Sequence, residues 1–213
     1  MLVRRGRVSV SGERVRDAAF AVADDARVEL EGRPLALPQP LYLMLNKPVG
    51  LLSATTDAGQ ATVLSLLPPE IATRLHLVGR LDKDTSGLLL LTDDGAWSHR
   101  ISAPSQHIPK TYLAGLAEPL AADAEMRLAA GLTLRNEAQP TRPATLRRLS
   151  DTEVRITIAE GRYHQVRRMF AALGNRVTSL HRESVGGLTL DPGLAPGQWR
   201  ALRPEECLAV LGD

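Results

Sequence analysis

The sequence is poor in the residues that carry redox and metal chemistry. There is one cysteine, Cys207, so no disulfide within the chain and no cysteine-based metal site can form. A single thiol suits a reducing cytoplasm. It lies in the apolar stretch Glu206-Cys207-Leu208-Ala209-Val210, which reads as core rather than as the setting of a nucleophile. Aromatic residues make up only 3%, so the core must rely on Leu, Val, Ile and Ala. Apolar runs such as Leu88 to Leu91 are far too short to span a bilayer. The opening Met-Leu-Val-Arg-Arg-Gly-Arg has no apolar central region, so no secretory signal is expected. The five histidines, His76, His99, His107, His164 and His181, show no helical metal-binding spacing. There is no phosphate-binding loop with a Gly-Lys-Ser/Thr ending, no dinucleotide fingerprint and no Gly-x-Ser-x-Gly elbow. Cofactor, metal and hydrolase readings lose ground accordingly, and neither cofactor nor metal is expected.

What is present is ordinary globular material. The 213 residues suffice for one good-sized core, or for one domain with a small appendage. Hydrophobic residues at 44% and charged residues at 23% fit a folded chain. The net charge is only +2, so distribution matters more than total. Between Arg4 and Arg16 five arginines face one carboxylate, Glu13, and the stretch from Arg142 to Arg182 is also rich in arginine. Such stretches make either a solvated basic face or a nucleic-acid surface.

Residues 7–10 alternate as a half-buried strand does, Ser11-Gly12 signals a turn, Val15 resumes apolar spacing, and residues 26–30 alternate again. Pro34, Pro38 and Pro40 read as a linker, which places a boundary near residue 40. Strands are expected at 41–45, 88–91, 111–116 and 153–158. Short helices are expected at 62–67, stopped by Pro68-Pro69, and at 95–101 and 123–130. The clearest helix is 163–173, where Val166, Met169, Phe170 and Leu173 share a face and Gly174 follows as the stop. Elements mixed without a regular βαβ rhythm favour an α+β fold.

The densest segment is Gly79-Arg80-Leu81-Asp82-Lys83-Asp84-Thr85-Ser86-Gly87-Leu88-Leu89-Leu90-Leu91-Thr92. A charged loop leading into a buried strand is how a scaffold presents a reactive group. An isolated Asp-x-Asp is more often a solvated turn. With other chemistries set aside, what remains is carboxylate chemistry in a chain with basic surfaces.

Here the sequence resembles the pseudouridine synthases. Gly79-Arg80-Leu81-Asp82 with Thr85-Ser86-Gly87-Leu88 is similar to that family's signature loop. Met44-Leu45-Asn46-Lys47-Pro48-x-Gly50 resembles its opening strand and turn. Lys110-Thr111-Tyr112 resembles its second motif, and Glu160-Gly161-Arg162-Tyr163-His164-Gln165-Val166-Arg167-Arg168-Met169 its third. Within the family the likeness is to bacterial small-subunit enzymes. It rests on Asp93-Asp94-Gly95-Ala96-Trp97-Ser98-His99-Arg100-Ile101, on Gly161-Arg162-Tyr163-His164-Gln165, and on the tail from Leu180-His181-Arg182 through Gly186-Gly187 to Leu194-Ala195-Pro196-Gly197.

The resemblance implies a mixed, largely antiparallel sheet with flanking helices over residues 41–213, and isomerisation of a single 16S ribosomal RNA uridine, the site at position 516. It implies that Asp82 is the catalytic carboxylate, that Tyr112 packs on the target base and that Arg167 pairs with Asp82. Arg80, Lys110, His164 and Arg168, with Arg4, Arg5 and Arg7, are the candidate RNA contacts. Relatives of this type usually open with a complete S4-like RNA-binding module. Here Gly6 to Leu30 resembles only its β-rich second half, so residues 1–40 are expected to be an S4-like remnant with a linker. The isomerisation breaks an N–C bond and makes a C–C bond to the same base, so nothing need be supplied from outside. An ionised carboxylate needs a nearby cation, and a stacked base must be flipped out to be reached. The expected setting is a cytoplasmic monomer acting on ribosomal RNA or a small-subunit assembly intermediate, with no membrane partner. A 23S-directed synthase and a non-catalytic RNA-binding assembly protein are the competing readings.

Overall fold

The structure, a computed structural model, describes residues 1–23, 25–35 and 39–212. Of the linker prolines, Pro38 lies outside the described residues. The chain divides into two compact units, Met1–Gln39 and Pro40–Asp213.

The first unit is a four-stranded antiparallel sheet of β1 (Val8–Val10), β2 (Glu13–Val15), β3 (Val28–Leu30) and β4 (Arg33–Pro34), in the order β2-β1-β3-β4. Two-residue turns close its hairpins. Ser11 and Gly12 have φ of 50° and 89°, and Glu31 and Gly32 have φ of 53° and 78°. Positive φ at both central residues is what a tight hairpin with right-twisted strands requires. Among the described residues of this unit, Val15 is the one buried hydrophobic side chain.

The second unit runs β5 (Tyr42–Lys47), α1 (Pro69–Ala72), β6 (His76–Val78), β7 (Ser86–Thr92), α2 (Gly95–Ser102), β8 (Lys110–Leu116), α3 (Ala124–Ala130), β9 (Thr145–Arg148), β10 (Glu153–Ile158), α4 (Gln165–Ala172), β11 (Val177–Val185), β12 (Leu188–Thr189), β13 (Trp199–Ala201) and α5 (Pro204–Ala209). Its strands form one sheet in the order β13-β5-β7-β11-β8-β10-β9, with β6 also on β7 and β12 on β11. Every pairing is antiparallel except β7 with β11. The fold is α+β, as the mixed pattern predicts.

The run Leu88 to Leu91 is fully buried because β7 has a core on each face. Leu89 and Leu91 join Leu43, Leu45, Met169 and Phe170, whereas Leu88 and Leu90 join Met44, Trp97, Ile101 and Val210. A strand covered on both sides reads as an unbroken apolar run. Close approach of β11 to β7 requires Gly87, whose φ is +104°, because a Cβ there would lie 2.3 Å from the Arg182 carbonyl oxygen.

Differences from the sequence-based reading have local causes. The segment expected as a helix at 62–67 is a 3-10 turn over Val63–Leu66, and Pro69 opens α1 rather than ending the element before it. Proline suits the first helical position because no N–H is needed there. The clearest helix starts two residues late, at Gln165, because His164 takes a left-handed φ of 47°. That helix ends as expected. Asn175 N–H bonds to Phe170 C=O at 2.9 Å and Gly174 N–H to Ala171 C=O at 3.0 Å, which satisfies the last carbonyls.

Candidate active site

The β6–β7 connection, residues 79–85, is held from below. The Lys47 side chain at the end of β5 is fully buried. Its ammonium donates to the carbonyls of Thr85 at 2.9 Å, Pro48 at 3.0 Å and Lys83 at 3.3 Å. Gly50 N–H bonds to the Lys83 carbonyl at 2.7 Å, Leu81 N–H to Ser53 Oγ at 3.1 Å, and Thr85 N–H to the Asp82 carbonyl at 3.0 Å. Leu81 and Thr85 are buried, while Asp82 between them keeps 31% of its side chain exposed. An alternation of anchored and free residues thus presents one carboxylate. Burial pulls the Lys47 ammonium down to about 8, with Asp82 and Asp84 opposing that shift.

Asp82 stands at a cavity of about 650 Å³ that is also lined by Arg80, Lys110, Tyr112, His164 and Arg167. The size suits a small organic ligand. The structure therefore brings together six of the residues that the sequence picked out. It distributes their contacts differently. The basic side chain set against Asp82 is His164, with Nε2 at 3.4 Å from Oδ1. Arg167 pairs with Asp84 instead, at 2.8 Å, and also donates to the Asp84 carbonyl at 3.2 Å and the Val177 carbonyl at 3.3 Å. This corrects the expected Arg167–Asp82 pair. From α4 the guanidinium meets the outer edge of the loop, where it ties the loop to the start of β11. His164 reaches Asp82 because its left-handed backbone turns it off the helix it precedes, stacked on exposed Tyr163 with ring centroids 3.9 Å apart.

The cavity floor belongs to β8 and β11. Tyr112 is buried, 8% exposed, and is paired across the ladder with Arg182. Lys110 lies two residues from Tyr112 on the same face of β8 and donates to the Ile108 carbonyl at 2.7 Å. Burial, and secondarily Arg182, bring its ammonium down to about 8. Arg182, 2% exposed, donates through Nε to the Leu88 carbonyl at 2.8 Å, while its buried Nη2 has no hydrogen-bond partner. Leu180, Ile158 and Val166 complete an apolar wall. A flat ring with polar edges fits such a site, its face on Tyr112 and its edge on the cations.

Lys47 and Arg182 are further candidate residues, buried charges within the motifs that were given no role from the sequence. The available signal was a charged residue inside a strand that otherwise reads as buried. Other candidates stand elsewhere. Arg168 is engaged within the fold, by Glu137 at 2.9 Å, the Tyr163 carbonyl at 3.2 Å and the Arg135 carbonyl at 2.7 Å. These bonds hold it against the start of α4 and the segment at 135–137. Arg4, Arg5 and Arg7 are exposed in the first unit, where Arg7 is ion-paired with Glu31. Among the described residues no group of three or more His, Cys, Asp or Glu side chains could hold a metal ion, and no helix is long and apolar enough to cross a membrane.

The family profile described as RNA pseudouridylate synthase matches residues 41–172. The chain is similar to ribosomal small subunit pseudouridine synthase A of Escherichia coli (strain K12), 51% identical over 210 residues that cover 98% of this chain and 91% of that protein. The protein of the same name from Vibrio cholerae is 46% identical over 209 residues, covering 98% and 90%. A crystal structure described as a pseudouridylate synthase superposes with a TM-score of 0.79 at 42% identity, covering 98% of this chain and 90% of that one.

Proposed function

The chain belongs to the RNA pseudouridylate synthase family, and from that premise we propose that it converts one uridine of 16S ribosomal RNA to pseudouridine, with the Asp82 carboxylate as the reacting group. The observation that carries the reading is the half-exposed Asp82, fixed by a buried loop scaffold over a cavity with Tyr112 on its floor. The identity of 51% with a relative named for the small ribosomal subunit supports the choice of RNA.

The target base is inaccessible in a stacked helix and must be flipped into the cavity. Tyr112 supplies a flat apolar surface for it. Exposed Arg80, beside Asp82 at the rim, meets the RNA backbone or fills the space that the base leaves. His164, with Nε2 at 3.4 Å from Asp82 Oδ1, is the basic side chain set beside the reacting carboxylate. The carboxylate then attacks the nucleoside or removes a ribose proton, the N1–C1′ bond breaks, the base turns, C5 bonds to C1′ and gives up its proton, and the carboxylate is freed by breaking its bond to the nucleoside or by returning the ribose proton. Arg4 and Arg5 of the first unit add phosphate contacts. Ribosomal RNA as substrate places this work in the cytoplasm.

Mapping pseudouridine in ribosomal RNA from cells with and without the gene tests the reading. The expected result is loss of one modified position in 16S RNA, uridine 516, restored by the wild-type gene and not by Asp82→Asn. Loss at a 23S position instead would reassign the substrate, and an unchanged map would contradict the activity.

A further inference from the structure

The floor of the cavity holds two cations that the fold leaves without an anion. Among the described residues neither Lys110 nor Arg182 has a carboxylate within ion-pair distance. Instead Lys110 bonds to a backbone carbonyl, Arg182 bonds to another, and Nη2 of Arg182 has no partner at all. Burying a charge without an opposite charge is costly, and burying two side by side more so. The core gains nothing from that arrangement, so its purpose lies with what enters the cavity. Departures of this kind from stable packing are expected at functional sites.

The position of the pair narrows the ligand. Arg182 is the ladder partner of Tyr112, and directly opposed residues of an antiparallel pair have Cβ atoms roughly 4.5–5.5 Å apart. Lys110 lies two residues before Tyr112 on the same strand face and lines the same cavity. A base lying on the Tyr112 ring therefore brings its polar edge to both cations. Phosphates of the same nucleotide stay nearer the rim, where Arg80 is exposed. Arg182, only 2% exposed, is too deep for a backbone phosphate to approach before the base does.

The chemistry supplies the missing anion. When the N1–C1′ bond of uridine breaks, the electron pair leaves with N1 and spreads onto O2 and O4 of the ring. If the carboxylate adds to the base instead, the electron pair moves to an enolate at O4. Negative charge appears on a carbonyl oxygen by either route. Afterwards C5 bonds to C1′, any bond to the carboxylate breaks, C5 gives up its proton and N1 ends protonated, so the product is an isomer and no other reagent is consumed.

We infer that Lys110 and Arg182 are the anion site for the base: they take the carbonyl edge of the flipped uracil and stabilise the charge it carries while detached from ribose. This role rests on the uridine-isomerising function proposed above. It makes the two cations catalytic residues acting chiefly on the transition state, because the charge they meet is greatest there.

The test is single-turnover conversion of 16S RNA, free and assembled with small-subunit proteins, by wild type, Lys110→Met, Arg182→Gln and Arg182→Lys. Binding isotherms at several salt concentrations and circular dichroism accompany it. The expected result is that Lys110→Met and Arg182→Gln slow conversion of fully bound RNA by about 10²- to 10³-fold. Affinity and its salt dependence should be unchanged, and Arg182→Lys should recover part of the rate. If Arg182→Gln does not fold, Lys110→Met decides alone, since its ammonium bonds only to the Ile108 carbonyl. Weaker, less salt-dependent binding with normal turnover of bound RNA would overturn the inference in favour of a phosphate contact. Wild-type rates in both neutralised variants would overturn it outright. A wild-type protein that converts no uridine would instead overturn the functional reading, and the inference with it.

Discussion

In residues 40–213 the charges of Lys47, Arg182 and Glu206 are taken below the surface, whereas in residues 1–39 the arginines at 4, 5, 7, 14 and 16 all stand in solvent. The two placements serve different ends. A buried charge demands partners at fixed positions, and so fixes geometry: Lys47 gathers three carbonyls under the loop that carries Asp82. An exposed charge fixes nothing, is screened by salt, and attracts polyanions over a distance. The larger unit also has a core on both faces of its sheet, while the smaller one buries Val15 and relies on ladders and ion pairs such as Arg27 with Glu29 at 2.8 Å. The first arrangement suits the catalytic role proposed for residues 40–213, and the second suits the RNA contacts proposed for residues 1–39.

The largest effect on stability should come from cutting a buried charge. Glu206 receives both Nη1 and Nη2 of Arg200 at 2.8 Å, and chiefly this pairing holds its carboxyl down to about 2. Glu206→Gln should cost roughly 2 to 3 kcal/mol, because partly buried Arg200 loses its two-pronged carboxylate partner and keeps only Asp191, at 2.7 Å. Chemical denaturation checks it, and a midpoint equal to wild type would break the contrast between the units. In wild type this contribution is present above the ordinary carboxylate range and fades as pH falls toward about 2.

Arg167→Ala comes next. It releases the tie between Asp84 and the start of β11, so the loop loses its outer anchor while Lys47 still holds it from below. A misplacement of about 1 Å at a reacting group can cost roughly 10²-fold in rate, and a loss of that order is expected in single-turnover assays with little change in RNA affinity. Affinity falling in step with rate would show instead that Arg167 holds RNA.

A smaller effect appears with pH. Lys47 and Lys110 titrate at about 8 in the fold, below the ordinary lysine value of 10.5. Below pH 8 both states carry the proton and the burial cost is felt in full. From there toward 10.5 the folded state sheds it while the unfolded chain keeps it, so stability rises with pH. Denaturation midpoints at pH 7.5 and pH 9.5 should therefore increase, and by less in Lys110→Met. A fall over that window in wild type would contradict the burial of the two lysines.

The first unit should respond only to salt. Arg7 is engaged by Glu31, which leaves Arg4 and Arg5 as the freer contacts. Neutralising those two should lower the salt slope of RNA binding by about 1.4 to 1.8 units, at roughly 0.7 to 0.9 per phosphate contact, with turnover of bound RNA unchanged. An unchanged slope would make this unit a structural appendage.

Most of the framework was legible because it follows from local pattern. The apolar run at 88–91, the helix bearing Met169 and Phe170 with its Gly174 stop, and the alternation at 153–158 each announce an element. The nine residues of β11 were harder, since Thr178, Ser179, His181 and Arg182 interrupt its apolar rhythm for reasons that lie across the sheet. The residues around Asp82 were legible from motif resemblance and not from periodicity. Their partners were not, because His164 meets Asp82 through a left-handed turn that the sequence does not display, and Arg167 meets Asp84 through the placement of α4 against the loop. The unpaired state of Arg182 likewise appears only when its neighbours in space are known.

The two carboxylates of the loop provide the most direct test of the account. Asp82 faces the cavity and His164, while Asp84 is solvent-exposed against Arg167, which also holds its backbone carbonyl. Asp82→Asn and Asp84→Asn remove the same charge two residues apart. Pseudouridine formation in 16S RNA should be measured for both, alongside RNA binding. The account predicts no product from Asp82→Asn with binding retained, and continued though slower turnover by Asp84→Asn. Turnover by Asp82→Asn, or its abolition in Asp84→Asn alone, would contradict it.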